Sequence, residues 1–155
     1  LYDTVKQNAY TASITAAAAH YFPLGKQATL KTAAHAGWFQ SPNYFKNELY
    51  QLGGFKLLRG FDEETIFSNR YFIGTLEYRY LLAQNSYLFT FTDIGVAAYK
   101  SISESYSHFY AGAGFGIAFE TQTGIFNLSY AIGKRDDQKL DFRQSKIHIG
   151  FVSVF

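Results

Sequence analysis

The chain has no cysteine, which excludes a disulfide framework and any thiolate-bound metal. It has no apolar run of about eighteen residues, so no segment can cross a bilayer as a helix. Its net charge is only +2 and it has no acidic tail, which argues against a nucleic-acid partner. It starts at Leu1 with no signal-peptide pattern, as expected of a mature protein or a piece of a longer one. Aromatics, by contrast, are abundant, with 13 Tyr and 16 Phe. Hydrophobic residues make up 48% of the chain, yet mean hydropathy is −0.11. Apolar residues are therefore diluted among polar ones rather than bunched.

That dilution takes the form of alternation, the period of a strand. The clearest case is 108–120. Phe109, Ala111, Ala113, Phe115, Ile117 and Phe119 share one face, and Tyr110, Gly112, Gly114, Gly116, Ala118 and Glu120 share the other. Glycines and a terminal acid make a poor solvent surface but a good lining for a crowded or watery lumen. The large apolar face then points to lipid. The same pattern recurs in 70–82, 87–99, 125–133 and 146–155, and more weakly in the Ala-rich segments 11–21 and 28–39. Phe72, Leu88, Leu128 and Ile149 mark apolar faces; Glu77, Asp93, Ser129 and His148 lie opposite. None of the residues named here on an apolar face is charged. Tyr71, Tyr80, Tyr87 and Tyr99 at strand ends read as an interfacial girdle, with core packing as the alternative. A ten-residue strand rises roughly 33 Å and, tilted near 45°, projects to roughly 23 Å, which suits a membrane.

Connections alternate in length: Phe22–Gln27, Ala83–Ser86 and Thr121–Gly124 are short, while Gln40–Asn69, Lys100–Ser107 and Lys134–Ser145 are longer. Short turns on one side and long loops on the other characterise outer-membrane barrels. The expected fold is all-β, a transmembrane antiparallel meander β-barrel portion of about seven or eight strands. An odd count points to a fragment of a larger barrel, since single-chain bacterial barrels have even counts. An eighth strand from Leu1–Ala9 would instead allow a small closed barrel.

The 40–69 connection is too apolar to be a disordered loop; Tyr44, Leu52, Phe55, Leu58 and Phe61 must pack on something, and the barrel interior is the available surface. On chemistry alone Arg59 reads as a surface arginine. Its neighbours Leu58 and Phe61 favour burial instead, and a buried guanidinium needs a carboxylate. The tripeptide Arg59-Gly60-Phe61, together with Gly74-Thr75-Leu76-Glu77-Tyr78-Arg79 and Phe91-Thr92-Asp93-Ile94-Gly95, resembles the BamA-type family of outer-membrane assembly and translocation barrels, also called bacterial surface antigens. The resemblance spans about 40–155, and Gln51-Leu52-Gly53-Gly54 looks like its Bacteroidetes branch. It implies a lumenal loop 40–69 inside the C-terminal part of a barrel of about sixteen strands. The loop arginine, Arg59, would contact wall motifs carrying Glu77, Arg79, Asp93 and Gly95.

The terminal segment, with Gly150, Phe151 and Phe155, resembles the assembly signal of such barrels, though Ser153 stands where an aromatic or aliphatic residue is usual. The four histidines, at 20, 35, 108 and 148, are scattered, so no metal site is expected. Ser153 and His148 lie on opposite faces of one strand and cannot form a catalytic pair. Gly112-x-Gly114-x-Gly116 lies in a strand with no helix after it and is no nucleotide motif. The resemblance implies a non-enzymatic insertase or translocase without cofactor, integral to the outer membrane of a Gram-negative bacterium. Its partners would be outer-membrane lipid, client membrane or secreted proteins, and accessory lipoproteins. Two alternatives are a barrel serving as anchor or export pore for a missing N-terminal domain such as a lipid hydrolase, and a small structural or adhesive barrel.

Overall fold

A computed structural model describes residues 10–101 and 104–153. The eighth strand considered for Leu1–Ala9 and the terminal Phe155 lie outside the described residues. Strands β1 (Ala12–Pro23) and β2 (Ala28–Gln40) lead into the long loop, which contains a small hairpin of β3 (Tyr50–Leu52) and β4 (Ile66–Ser68). Then follow β5 (Arg70–Ala83), β6 (Ser86–Lys100), β7 (Ser105–Thr121), β8 (Gly124–Arg135) and β9 (Lys146–Ser153). Seven strands form one antiparallel meander in the order β1-β2-β5-β6-β7-β8-β9. The sheet does not close among the described residues, and β1 and β9 are its edges, as in a partial barrel.

Period-2 alternation of burial is clear in the middle of the sheet, above all in β6, whereas β1 is exposed along its whole length and β2 is half-buried along most of its own. The outward face carries Phe72, Leu76, Leu88, Ile94, Phe115, Leu128 and Ile149, all exposed, with Phe115 at 59% and Ile149 at 73%. An apolar face of this extent is not a water surface, and it matches the lipid-facing band of a membrane barrel. The inward face is where burial occurs. Leu52 and Leu58 of the loop pack with Ile73, Ala97 and Tyr110 of the wall, while Phe89 and Phe91 pack with Ala131. The core is thus a loop pressed into a sheet rather than one sheet against another.

Two expectations need correction. Of the four strand-end tyrosines, only Tyr80 faces outward. Tyr71, Tyr87 and Tyr99 occupy inward parity: Tyr71 packs edge-on against Tyr50, Tyr87 beneath Arg79, and Tyr99 against Tyr106. The connection Lys100–Ser107 is not long. β7 reaches back to Ser105, pairing Ser105, Tyr106 and Ser107 with Lys100, Tyr99 and Ala98. Serines on the outward side had hidden that continuation.

Candidate functional site

The loop enters the concave face through a run of left-handed backbone: Gly53, Gly54, Leu58 and Gly60 all have positive φ. At Leu58 this costs about 1–2 kcal/mol for a residue with a Cβ. The turn sends Leu58 into the apolar cluster and Arg59 toward β5 and β6. Arg59 grips Asp93 three ways: its backbone N–H donates to Oδ2 at 3.0 Å, Nε to Oδ2 at 2.8 Å, and Nη2 to Oδ1 at 2.9 Å. Its Nη1 donates to Glu77 Oε2. Thr75 Oγ1 adds a donor to Asp93 Oδ1 at 2.8 Å, and Arg79 bridges the other oxygen of Glu77 at 2.7 Å. The guanidinium also lies 3.5 Å over the Phe91 ring. Two arginines and two acids thus balance in charge, and each carboxylate oxygen is engaged, which is what allows ions to be held out of water. Burial alone would lower the Arg59 pKa, but Asp93 and then Glu77 hold it above the usual arginine value.

The next residue secures the far side. Gly60 N–H donates to His148 Nε2 on β9 at 3.0 Å. A Cβ on Gly112 would strike the Arg59 carbonyl, and one on Gly133 would meet the Gly60 carbonyl and the Phe61 ring. Phe61 rests edge-on against Tyr110 with centroids 5.3 Å apart. A Cβ on Gly150 would run into the Phe55 ring, and Lys146 pairs with Asp62 at 2.7 Å. At the other end of the loop, the Tyr50 hydroxyl lies 2.9 Å from Ser13 Oγ and 3.2 Å from the carbonyls of Ile14 and Trp38. One loop therefore touches β1, β2, β5, β6, β7, β8 and β9.

An inward loop locked by arginine to two wall acids, beneath a lipid-type outer face, is the setting for the comparison with known proteins. A model described as the Omp85 superfamily domain matches residues 3–152. The chain belongs to the Omp85 superfamily. Members of the Omp85 superfamily are outer-membrane proteins, and the superfamily is associated in general with protein insertion and translocation there. No curated protein matches the chain.

In this Omp85 chain the structure brings Arg59, Glu77 and Asp93 into direct contact, with Arg79 one step removed through Glu77. Gly95 is not part of the contact: its missing side chain makes room for Ile73. Gly150 receives the Phe55 ring of the loop. Phe151 faces outward, 49% exposed, and its ring lies tilted against that of Phe126 with centroids 4.7 Å apart. Several contributors were missed from sequence: His148 as acceptor for Gly60, Gly112 and Gly133 as seats for the loop backbone, and Tyr50 as the tether to β1. Inward parity was the one signal available for the wall residues. His108, Asp136 and Asp137 also converge near the long-loop end, their ligand atoms within 4.8 Å. Arg135 occupies both oxygens of Asp137, and His108 bonds Asp136, so this is an ion-paired rim cluster.

Proposed function

We propose that this chain is part of the barrel of a BamA-type insertase or translocase that inserts or exports β-rich client proteins. It needs no cofactor and no nucleophile. Its working parts are an inward loop that holds the wall in shape and an edge strand, β9, able to pair with another chain. The observation that carries this reading is the Arg59–Asp93–Glu77 lock within an Omp85 sheet. A free edge presents unpaired N–H and C=O groups, and a client strand can add to it by β-augmentation. Partners on this reading are outer-membrane lipid, client proteins and accessory lipoproteins, at the outer membrane of a Gram-negative cell.

The test is a disulfide across the seam. Ile149→Cys points away from the loop, unlike Gly150, and would be cross-linked to a cysteine on the facing first strand of the intact barrel. The expected result is a folded protein that no longer inserts or exports clients, with activity restored by reductant. Full activity with the seam verifiably closed would overturn the reading and favour an anchor or export pore.

A further inference from the structure

Every outward position of the seven sheet strands is uncharged except three: Arg70, Lys100 and Lys134. All three are cations, all are exposed, and all lie at the long-loop ends of β5, β6 and β8. Among the described residues none of the three has a side-chain hydrogen bond or ion pair. This contrasts with Arg59, Arg79, Arg135 and Lys146, which are all paired with carboxylates.

Two of the three flank a notch in the wall. β5 begins at Arg70, whose register partners are Trp38 and Ala98, while β2 continues to Gln40 and β6 to Lys100. Asn69 spans the gap between the neighbours. Its carbonyl accepts from Phe39 N–H at 2.8 Å, its N–H donates to the Ala98 carbonyl at 3.0 Å, and its side chain pairs both ways with the Lys100 backbone. Beside this bridge lies a cavity of about 460 Å³ lined by Trp38, Gln40, Ser41, Arg70, Lys100 and Ser101, among others. Directly below on the outward face are Phe72 and Val96, part of the apolar band.

We propose that this notch binds the net-anionic phosphate headgroup of a lipid in the leaflet on the long-loop side. A cation at this depth, just above the apolar band, meets headgroups rather than acyl chains. Phosphate oxygens match the guanidinium fork of Arg70 and the ammonium of Lys100. An indole such as that of Trp38 suits the same interfacial level. The proposal rests on the strands crossing a membrane and on nothing about clients.

Trp38 is the only tryptophan in the chain, so the notch carries its own reporter. The intact protein is placed in nanodiscs of phosphatidylcholine doped with rising fractions of diphosphoryl lipid A. The expected result is a saturable shift in the emission component that Trp38→Phe removes. Each cation near a charged membrane surface contributes about fivefold to attraction, so Arg70→Gln with Lys100→Gln should move the midpoint roughly 25-fold higher. Lys134→Gln removes the same kind of charge outside the notch and should move it by no more than about fivefold. An unchanged midpoint in the double variant would overturn the proposal. A larger effect from Lys134→Gln than from the notch pair would do so too, as would an equal shift from inorganic phosphate alone. Strand circular dichroism and protease protection in the discs read insertion separately. Failure to insert would remove the membrane reading, and the notch proposal with it.

Discussion

Gly60 and His148, 88 positions apart, share one buried hydrogen bond in which the imidazole Nε2 is the acceptor. The loop thereby holds the last strand through a group that accepts only while Nε2 is unprotonated. His148→Gln can keep an acceptor in place, whereas His148→Phe orphans the Gly60 N–H. A buried unsatisfied donor costs about 1–3 kcal/mol, so the Phe variant should unfold at lower denaturant by that margin. Protonation turns Nε2 into a donor facing a donor. The charged groups around it are Glu63, Arg59 and Asp62 from the loop and Lys146 on its own strand. Stability from this contact is therefore present while the imidazole is neutral and is lost as pH falls. The wild type should weaken on acidification more than His148→Gln; parallel pH profiles for the two would refute the contact's role.

Arg59 should tolerate no substitute. Arg59→Ala leaves Asp93 and Glu77 buried without a countercharge, which costs about 3–5 kcal/mol. Arg59→Lys should recover little, because one ammonium cannot reproduce a fork that reaches two acids at once. Equilibrium unfolding of the inserted protein measures both. A lysine variant as stable as the wild type would show that charge alone suffices.

Gly112→Ala should displace the loop, since the added methyl meets the Arg59 carbonyl. Overpacking of this kind costs about 1–3 kcal/mol. Gly74→Ala is the matched control: it lies on the outward face, where the nearest atom to a new Cβ is Ile94 Cγ1 at 3.8 Å. Protease cleavage within 41–69 should rise in the first variant and not in the second.

Phe115→Arg, at mid-strand on the outward face, should cost about 2–4 kcal/mol in a bilayer. From sequence alone, Gly114→Ser on the opposite face looks milder. The structure removes that contrast, because a side chain at Gly114 would run into the Tyr130 carbonyl and the Phe91 ring. The cheaper partner is Thr92, exposed and outward on β6, mutated to Ala. Denaturant midpoints in lipid vesicles compare the pair, and a harmless Phe115→Arg would mean the outward face does not meet lipid.

The strand plan was legible because alternation persists over many residues; Phe109 to Phe119 is enough to set the phase of β7. It failed where polar residues sit at outward positions near a strand end, as Ser105 and Ser107 do, and where strands are too short for a period, as in the three-residue β3 and β4. The meeting of Arg59 with Asp93 was legible through the family resemblance, which implies that the loop arginine contacts motifs on the two following strands; chemistry alone said only that a buried guanidinium needs a carboxylate. Nothing local marks Gly112, Gly133 or Gly150 as seats for the loop. Their role is set by how closely another stretch of backbone approaches, which only the fold determines.

The contacts of this one loop also impose a timetable. Arg59 needs only residues up to Asp93, a separation of 34, whereas Gly60 must wait for His148. Closing a longer span costs more chain entropy and slows assembly. The arginine lock can therefore form on a half-made sheet, which then serves as a mould for β7 and β8, with the arrival of β9 as the final step. Slowed assembly should follow this order: Arg59 variants stall early with β7–β9 unprotected from hydrogen exchange, while His148 variants stall with only the last strand loose.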